Sequence, residues 1–396
     1  MLKTKLSAMM FLEFMALPVW FVPMLPYVRS LPGGEGWMLW CGLIMGVGTF
    51  SSPLVGMFAD RHFNAEKVLA ICYFASAVLL GAAFFVTSPA LLFAVLLAVM
   101  FFYMPTWSLT ATIAMAHSEK SDFPRIRVFG TIGWVSAGLF SVAAAAGGFA
   151  EFDSSPWIFA AGAATMLVAA LFTFALPGTA PRAKGEKASI CDALGLRALV
   201  LLRDPRFRSF AILLLLAMVP FQWYNAYAAA YLKDSGFKYL TLTMNIGQAG
   251  EIGFMLLVPL IVRKLGYRGG VVLALFLLAA RNTSFALSSA FGLAAFDFLA
   301  IVVHGLIFGL LIVGGQMFVD EVAPPELRNQ AQGLVNLLTA GVGVFASNIT
   351  FDTILNSSTP TPWTLAYVVA TAVAVAAAVY GLVTGKSAGH SAQKEQ

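Results

Sequence analysis

Residues 90–115, ALLFAVLLAVMFFYMPTWSLTATIAM, contain no Asp, Glu, Lys, Arg or His. A helix needs about 20 consecutive apolar residues to cross the hydrocarbon core of a bilayer, and this stretch is longer than that. Because lipid offers no partner for exposed backbone N–H and C=O groups, a single spanning segment has to be a helix. The stretch therefore predicts a transmembrane helix that is tilted or that extends beyond the lipid.

Eleven further stretches share this apolar character, and together they predict an all-α membrane protein with twelve transmembrane helices. Of the 396 residues, 60% are hydrophobic and only 11% are charged, whereas a soluble domain carries about 25% charged residues. A chain with so little charge has to be solvated by lipid over most of its surface. In chain order the predicted helices cover residues 6–27, 37–58, 68–87, 90–115, 125–146, 156–176, 209–231, 239–262, 270–290, 296–319, 329–351 and 363–384.

The longest connection between predicted helices, residues 177–208, divides the chain into two sets of six. It holds seven basic residues against three acidic ones. Two six-helix halves joined by a basic linker suggest a secondary transporter that arose by duplication. We therefore predict an N-terminal bundle over residues 1–176, a cytoplasmic linker over 177–208 and a C-terminal bundle over 209–396.

Lysine and arginine are distributed unevenly between the two sides of the predicted membrane. With both termini in the cytoplasm, the cytoplasmic segments hold 19 of the 24 basic residues, the outer loops hold three, and two lie within predicted helices. Cytoplasmic loops of membrane proteins carry such an excess of positive charge. We therefore expect a multi-pass protein with both termini cytoplasmic.

The sequence favours neither a nucleic-acid-binding protein nor an enzyme. The net charge is +5 and the isoelectric point is near 9.1, but the basic residues lie mostly in short loops, as in membrane proteins. The chain has no phosphate-binding glycine loop, no HExxH sequence and no paired CxxC motif. Cys41, Cys72 and Cys191 are far apart in the sequence, so we expect no disulfide, no metal site and no cofactor. We also expect a monomer.

Two predicted helices each carry polar side chains on one face at membrane depth. Arg127, Thr131 and Trp134 share a face of the fifth helix, where they can bind a polar, ring-shaped solute. Alternatively, they form a packing surface along which Arg127 extends towards the cytoplasm.

Gln222 and Asn225 share a face of the seventh helix. Their carboxamides suit a neutral solute such as a sugar or nucleobase, although carboxamides also hydrogen-bond neighbouring helices in membranes.

The eighth and tenth predicted helices add further polar groups. Gln248 and Glu251 share one face, and a buried carboxyl can carry a proton near neutral pH, as proton coupling requires. The alternative is a structural carboxylate paired with an arginine such as Arg281. His304 and Phe308 also share a face, and His304 is either a satisfied core residue or a proton carrier.

Glu13 is the ionisable residue of the first predicted helix. It lies about two turns from the inner end of that helix. An ionisable group at this depth costs at least a few kcal/mol, so it needs a partner, a water-filled cavity or a function. We expect Glu13 to line the cytoplasmic vestibule, and we count it with Glu251 and His304 as a candidate for proton coupling.

A short motif stands at the end of the second predicted helix. Residues 56–61, Gly-Met-Phe-Ala-Asp-Arg, resemble the GxxxDR core of the loop signature of the major facilitator superfamily. The position of the motif in a chain of six plus six helices strengthens this resemblance. We predict that Asp60 and Arg61 form a gate, in which Asp60 caps or pairs with a neighbouring helix end and holds one conformation.

Three further stretches resemble the bacterial nucleoside:proton symporter family. They are Tyr103-Met-Pro-Thr106, Asp122-Phe-Pro-Arg-Ile-Arg-Val-Phe-Gly-Thr-Ile-Gly133 and Ala331-Gln-Gly333, and the resemblance runs along nearly the whole chain. It implies a major facilitator fold of two six-helix bundles around a central cavity. It also implies uptake of nucleosides with protons across the lipid bilayer of a bacterial inner membrane.

The resemblance also implies which residues bind the nucleoside. The family's pocket corresponds here to Arg127, Thr131, Trp134, Gln222, Asn225, Gln248, Glu251, His304 and Phe308. The aromatic residue of the fifth helix is Trp134 here, where the family has phenylalanine. Two positions depart from the family: His304 replaces a tyrosine, and Gly309 replaces an acidic residue implicated in binding and coupling. Alternatives therefore stay open. They are transport or facilitated diffusion of another neutral polar solute, such as a sugar or a peptidoglycan fragment, and a non-transporting membrane sensor.

Overall fold

The structure is a computed structural model that describes residues 2–119, 122–149, 151–181, 196–255, 257–324, 327–357 and 359–392. Within these ranges the chain is mostly helical and contains no β-strand. Eleven helical stretches of the described residues are long and apolar enough to cross a membrane. The apolar stretches of the sequence therefore fold as helices, which satisfy their backbone hydrogen bonds within lipid.

The described residues of the first half of the chain form ten α-helices, and some of these helices are parts of a single span. Three short helices make up the first span, Leu2–Ser30, with Pro18 and Pro23 at the joints. Proline has no backbone N–H, so it interrupts the helical hydrogen bonds at both points. The helices are α1 Leu2–Ala16, α2 Pro18–Phe21, α3 Met24–Ser30, α4 Met38–Gly48, α5 Ser51–His62, α6 Ala65–Ala83, α7 Pro89–Ala116, α8 Phe123–Ser136, α9 Gly138–Ala146 and α10 Trp157–Phe172.

The second half contains nine α-helices and two π-helical turns among its described residues. The turns, Gly309–Val313 and Leu337–Val342, interrupt two of the predicted spans. Turns of this kind often occur at functional sites. The helices are α11 Pro205–Asp234, α12 Leu240–Met255, α13 Val258–Phe291, α14 Ala294–Val302, α15 His304–Phe308, α16 Gly314–Val322, α17 Arg328–Asn336, α18 Gly343–Leu355 and α19 Pro362–Ala392.

The eighth predicted helix, 239–262, differs from its predicted form and is not among the eleven long spans. In the described residues α12 ends at Met255 and the next helix begins at Val258. That helix runs on into the predicted ninth span, but Gly266 has φ 69° and ψ 168°, which lie outside the helical region. Glycine adopts a positive φ at little steric cost, so the chain bends there. Apolar length alone did not locate this bend.

The packing divides the chain into two compact units. The first unit comprises Met1–Ala193 with Ala226–Ile246, and the second comprises Leu194–Asn225 with Gly247–Gln396. Helix α11 therefore begins in the second unit and ends in the first, and α12 does the reverse. The predicted boundaries at residues 176 and 209 stay a prediction, and the packing differs from them in the segment 226–246.

An aspartate on the loop between α9 and α10 holds the start of α12 to the first unit. Asp153 is buried, and its carboxylate accepts hydrogen bonds from Ser141 Oγ at 2.6 Å and from the backbone N–H of Thr241 at 3.3 Å. Thr241 is the second residue of α12, so Asp153 caps the N-terminus of this helix from outside it. Burial raises the pKa of the Asp153 carboxyl above its usual range.

Large apolar side chains lie on the outside of the helices. Phe85 is 81% exposed, Phe174 is 84% exposed and Leu139 is 60% exposed. Soluble proteins rarely expose contiguous apolar surface, so these side chains suit contact with lipid tails. The interior of the second unit is a cluster of buried apolar side chains from α11, α13, α15, α16, α17 and α19.

Candidate functional site

The predicted residues of the fifth span lie on α8, in the first unit. Arg127, Thr131 and Trp134 are each half-buried, so the face they share is partly accessible. Asn245 of α12 donates from Nδ2 to the carbonyl oxygens of Trp134 at 3.3 Å and Val135 at 2.9 Å. The backbone at the end of this face is therefore fixed by a side chain that the sequence analysis did not single out.

Helix α8 packs very closely against α1. A Cβ atom at Gly133 would lie 2.1 Å from the carbonyl oxygen of Phe11, and one at Gly130 would lie 2.8 Å from Cδ2 of Phe14. Small residues permit such close approach of helices in membranes. The approach brings the guanidinium of Arg127 over the Phe14 ring, 4.0 Å from its centroid, in a cation–π contact. The Gly-Thr-Ile-Gly part of the motif thus positions Arg127.

Glu13 lies on α1, one residue before Phe14, and its side chain is 0% exposed. The Tyr73 hydroxyl of α6 donates a hydrogen bond to Oε2 of Glu13, and Oγ1 of Thr106 on α7 lies 2.7 Å from Oε1. The Tyr103 hydroxyl donates to the backbone carbonyl of Glu13 at 2.8 Å. Glu13 is therefore enclosed among hydroxyl groups, and the expectation that it lines a vestibule is wrong for this structure.

In the second unit, Gln222 and Asn225 form a pair on α11. Asn225 Nδ2 donates to Gln222 Oε1 at 2.9 Å, and neither side chain makes another hydrogen bond within the described residues. Gln222 is half-buried and Asn225 is exposed. The pair therefore offers the amide N–H groups of Gln222 beside the amide oxygen of Asn225, a donor next to an acceptor.

A buried arginine fastens the middle of α11. Pro220 interrupts the helical hydrogen bonds there because it has no N–H. Arg281 of α13 is 1% exposed and donates to the carbonyl oxygens of Pro220 at 3.1 Å and Phe221 at 3.2 Å. Its guanidinium also lies over the Tyr224 ring, 4.8 Å from the centroid. Within the described residues no carboxylate lies within ion-pair distance of Arg281, so the alternative in which Arg281 pairs with Glu251 does not hold here.

His304 links this arginine to Gln248. Arg281 Nη1 lies 3.4 Å from His304 Nδ1, and because a guanidinium only donates, Nδ1 has to accept and Nε2 has to carry the proton. The end of the Gln248 amide lies 3.1 Å from His304 Nε2. Because Nε2 carries the proton and donates, the atom of the amide that faces it has to be the oxygen, which accepts. Gln248 then points its NH₂ group away from His304, as a donor.

Glycines let α12 approach the helices that carry His304. A Cβ atom at Gly305 would lie 2.5 Å from Cα of Glu251, and one at Gly247 would lie 3.0 Å from Cβ of His304. Glu251 itself is buried, with 8% of its surface exposed. The close approach therefore brings Gln248 to His304 and keeps Glu251, on the same face, away from solvent.

Gly309 occupies the position at which the family resemblance implies an acidic residue. It is the first residue of a π-helical turn and directly follows Phe308, which is half-buried. A Cβ atom at Gly309 would lie 2.7 Å from Cγ2 of Val258, so any side chain there would have to displace Val258. This chain thus has Val258 close to the place where the family resemblance implies a carboxylate.

The predicted gate is described only in part. Arg61 Nη1 donates to the carbonyl oxygen of Met57 at 3.1 Å within α5. The side chain of Asp60 lies outside the described part of the structure, as do Cys191 and the linker residues 182–195. The gate stays a prediction.

Apolar spans with a carboxyl, a guanidinium and an imidazole buried inside them are those of a polytopic membrane protein, and such buried groups are typical of transporters. Comparison with known proteins gives the family. The chain belongs to the nucleoside H+ symporter family, whose model matches residues 1–388.

Two relatives from Escherichia coli (strain K12) illustrate the similarity. YegT is 38% identical over 354 residues, which cover 86% of this chain and 81% of YegT. The nucleoside permease NupG is 27% identical over 392 residues, which cover 93% of this chain and 92% of NupG.

Solved structures give the fold. The crystal structure of the nucleoside transporter NupG matches with a TM-score of 0.83 at 26% identity, over 97% of this chain and 99% of that chain. A peptide transporter of the POT type matches with a TM-score of 0.74 at 15% identity, over 98% of this chain and 94% of that chain, and shares the fold alone. The predicted family and the predicted major facilitator fold are confirmed. The predicted site residues stay predictions.

The residues that hold the candidate site residues in place were not predicted from the sequence. Tyr103 and Thr106 were quoted as part of a motif, and their spacing of three residues puts them on one helical face. Their role becomes visible only once Glu13 lies against that face. Tyr73 and Asn245 carried no signal in one sequence, because a single tyrosine or asparagine in a span does not reveal its neighbour.

Proposed function

We propose that this protein takes up nucleosides together with protons across a bacterial inner membrane. The observation that carries the proposal is membership of the nucleoside H+ symporter family over residues 1–388. Relatives in Escherichia coli include a nucleoside permease and a xanthosine permease, which supports a nucleoside as the substrate class. We also propose that both termini lie in the cytoplasm, as the positive-inside count suggests, and that the protein acts as a monomer.

In the second unit, the proposed nucleoside contacts are amide groups that can form further hydrogen bonds, together with the aromatic ring of Phe308. The Gln222–Asn225 pair presents a donor beside an acceptor, and a nucleobase edge presents an N–H beside a C=O or a ring nitrogen. Gln248 directs its NH₂ group away from His304 and is suited to a carbonyl oxygen of the base. Phe308 supplies an aromatic face for stacking on the ring.

In the first unit, the proposed contacts are Arg127, Thr131 and Trp134. The guanidinium of Arg127 lies over the ring of Phe14, so its N–H groups are held in place on a half-buried face. The hydroxyl of Thr131 can donate to or accept from a ribose hydroxyl. Trp134 offers a large flat surface to a base.

Uptake by purified protein in proteoliposomes tests the proposal. Radiolabelled uridine, adenosine and a hexose are supplied with and without an inward proton gradient. We expect both nucleosides to enter faster than the hexose and to accumulate only when the gradient is present. Entry of the hexose with no entry of either nucleoside would contradict the proposal.

A pair of variants tests the site in the second unit. Asn225→Ala removes the acceptor and frees Gln222, and we expect nucleoside affinity to fall about tenfold, the effect of losing one hydrogen bond of about 1.4 kcal/mol. Asn356→Ala is the matched control, since Asn356 is also exposed on the second unit, directly after α18, and its side chain bonds only Asp352 of that helix. Equal effects of the two substitutions on affinity would remove the Gln222–Asn225 pair from the site.

The contact between Gly309 and Val258 favours a second candidate, a nucleoside facilitator without proton coupling. The family resemblance implies a coupling carboxylate at this position, and this chain has none there. A facilitator would let nucleosides equilibrate at the same final level with and without the proton gradient. The gradient arm of the uptake experiment separates the two candidates.

A further inference from the structure

Glu13 is a buried carboxyl that the proposed nucleoside contacts do not use. Four titratable or charged groups face it from the elements packed on α1: Cys72 and Tyr73 of α6, Tyr103 of α7 and Arg127 of α8. Helix α10 also packs on α1 and carries no titratable residue. Within the described residues Glu13 makes no ion pair, and its side-chain hydrogen-bond partners are two hydroxyls.

Counting hydrogens assigns the state of this carboxyl. Thr106 Oγ1 lies 2.7 Å from Oε1 of Glu13 and 2.5 Å from the carbonyl oxygen of Tyr103. A hydroxyl has one hydrogen, and a carbonyl oxygen can only accept. If Glu13 were an anion, one of these two contacts would lack a hydrogen. If Glu13 is a neutral acid, Oε1–H donates to Thr106, Thr106 donates to the carbonyl, and every contact has its hydrogen.

The same groups can also hold the ionised form after a small change. When the proton leaves, the Thr106 hydroxyl can rotate from the Tyr103 carbonyl to Oε1, while Tyr73 continues to donate to Oε2. Hydroxyls suit such a site because they both donate and accept. The arrangement therefore allows reversible proton binding without rebuilding of the surrounding helices.

Glu13 is also linked to a proposed nucleoside contact. The next residue, Phe14, carries the Arg127 guanidinium on its ring, so a change at Glu13 is transmitted through one step of α1. Close packing of α8 at Gly130 leaves this stack little room to move independently, since a Cβ there would lie 2.5 Å from Arg127 Nη1. Proton binding and nucleoside binding thus share one stretch of helix.

We propose that Glu13 is the site of the coupled proton. The proton enters from the water outside the cell, binds to Oε1 and is released to the cytoplasmic water. Thr106 and Tyr73 hydrogen-bond the carboxyl in both its neutral and its ionised form. The proposal rests on the proposed function in so far as it concerns transport. His304 is the weaker candidate, because its Nδ1 already accepts a hydrogen bond from Arg281.

Glu13→Gln tests the proposal in proteoliposomes. Glutamine has the shape of the protonated acid, so its NH₂ can donate to Thr106 and its oxygen can accept from Tyr73. We expect the variant to bind and exchange uridine but not to accumulate it, whereas under a gradient of about one pH unit the wild type accumulates uridine up to about tenfold at one proton per uridine. Gradient-driven accumulation by Glu13→Gln at the wild-type level would overturn the proposal.

Two threonines of α7 give a matched pair. Thr106→Val removes the partner of Oε1, and we expect accumulation to fall while exchange is kept. Thr110→Val removes a buried hydroxyl one turn further on, which bonds the Thr106 carbonyl at 2.8 Å and does not touch Glu13. We expect it to accumulate uridine normally. An equal loss in both variants would mean that Thr106 acts only through packing, and it would overturn the role of Thr106.

An infrared spectrum of the detergent-purified protein provides a readout without transport. The wild type at neutral pH should show the C=O stretch of a protonated carboxyl group, and Glu13→Gln should lack that band. Identical spectra in this region would overturn the proposal. If the band is present but no nucleoside is transported, the proposed function fails and the proton site at Glu13 stands.

Discussion

The first unit buries the carboxyl of Glu13 and the second unit buries the guanidinium of Arg281, and the two sites differ in what surrounds the ionisable group. Around Glu13 in the first unit the side-chain partners are hydroxyls. Around Arg281 in the second unit they are backbone carbonyls and an imidazole nitrogen. Carbonyls only accept, so the second site fits a permanent donor, whereas the first fits a group that gains and loses a proton.

The difference shows how to interpret an ionisable residue inside a membrane. A guanidinium keeps its proton in proteins, so Arg281 is a fixed charge that fastens α11 at Pro220 and orients His304. A carboxyl can become neutral by binding a proton, so Glu13 can be buried at lower cost. The type of partner, more than the depth of the residue, separates a structural charge from a switchable one.

Removing the fixed charge should have the largest effect on stability. Arg281→Ala removes the hydrogen bonds to the carbonyls of Pro220 and Phe221 and to His304 Nδ1, and it opens a cavity in the second unit. We expect a loss of about 3–5 kcal/mol in the free energy of unfolding, measured in detergent by thermal or denaturant unfolding. Arg125→Ala, at an exposed position of α8, should change it by less than about 0.5 kcal/mol. Similar losses in both variants would contradict the role given to Arg281.

The switchable group should tolerate neutralisation but not removal. Glu13→Gln keeps both hydroxyl contacts, so we expect the free energy of unfolding to change by less than about 1 kcal/mol. Glu13→Ala leaves the Tyr73 hydroxyl without its partner and creates a cavity, and we expect a loss of about 2–4 kcal/mol. Unfolding of the two variants in detergent, side by side, measures the difference. A larger loss for glutamine than for alanine would show that the carboxyl is held as an anion.

The imidazole between Arg281 and Gln248 should affect binding more than folding. His304→Phe keeps a ring against Tyr224 but no longer orients the Gln248 amide, so we expect uridine affinity to fall about tenfold, or about 1.4 kcal/mol. Calorimetric titration with uridine measures this. His62→Phe, at an exposed position of α5, is the control and should bind as the wild type does. Unchanged affinity in His304→Phe would mean that His304 does not position Gln248.

The fold was largely predictable because lipid leaves the chain few choices. Runs of about 20 apolar residues have to be helices, and most predicted spans appear among the eleven long helices. The break at Gly266 and the π-helical turn at Gly309 were not predictable from such runs. Both depend on local backbone geometry, which the apolar composition of a segment does not encode.

Neighbours on one helical face were predictable from the sequence, but the partners of the candidate site residues on other helices were not. One helical face places Gln222 beside Asn225, and the structure keeps them together. Long-range partners were beyond reach, because the approach of α1 to α7 and of α12 to α15 decides them. Arg281 was thus assigned to Glu251 as an alternative, although its partners are His304 and two carbonyls of α11.

The smallest expected effect concerns Asp153, which lies outside the membrane spans and compares with Glu13 as a second buried carboxyl of the first unit. Burial raises the pKa of Asp153 in the folded protein, so its ionisation costs more there than in the unfolded chain. The stability that Asp153 contributes is therefore greatest below the unfolded pKa of about 3.9 and falls as the pH rises through the raised value.

Two substitutions separate the charge of Asp153 from its capping of α12. Asp153→Asn is neutral at every pH and keeps an acceptor for the N–H of Thr241, so its melting temperature relative to the wild type should increase from acid to neutral pH. Asp153→Ala loses the cap, and we expect about 1 kcal/mol lower stability than Asp153→Asn, because α12 then begins without its acceptor. Thermal unfolding in detergent across this pH range measures both effects. If the melting temperatures of Asp153→Asn and the wild type differed by the same amount at every pH, Asp153 would ionise equally easily in the folded and unfolded chains, and its contribution would be limited to capping α12.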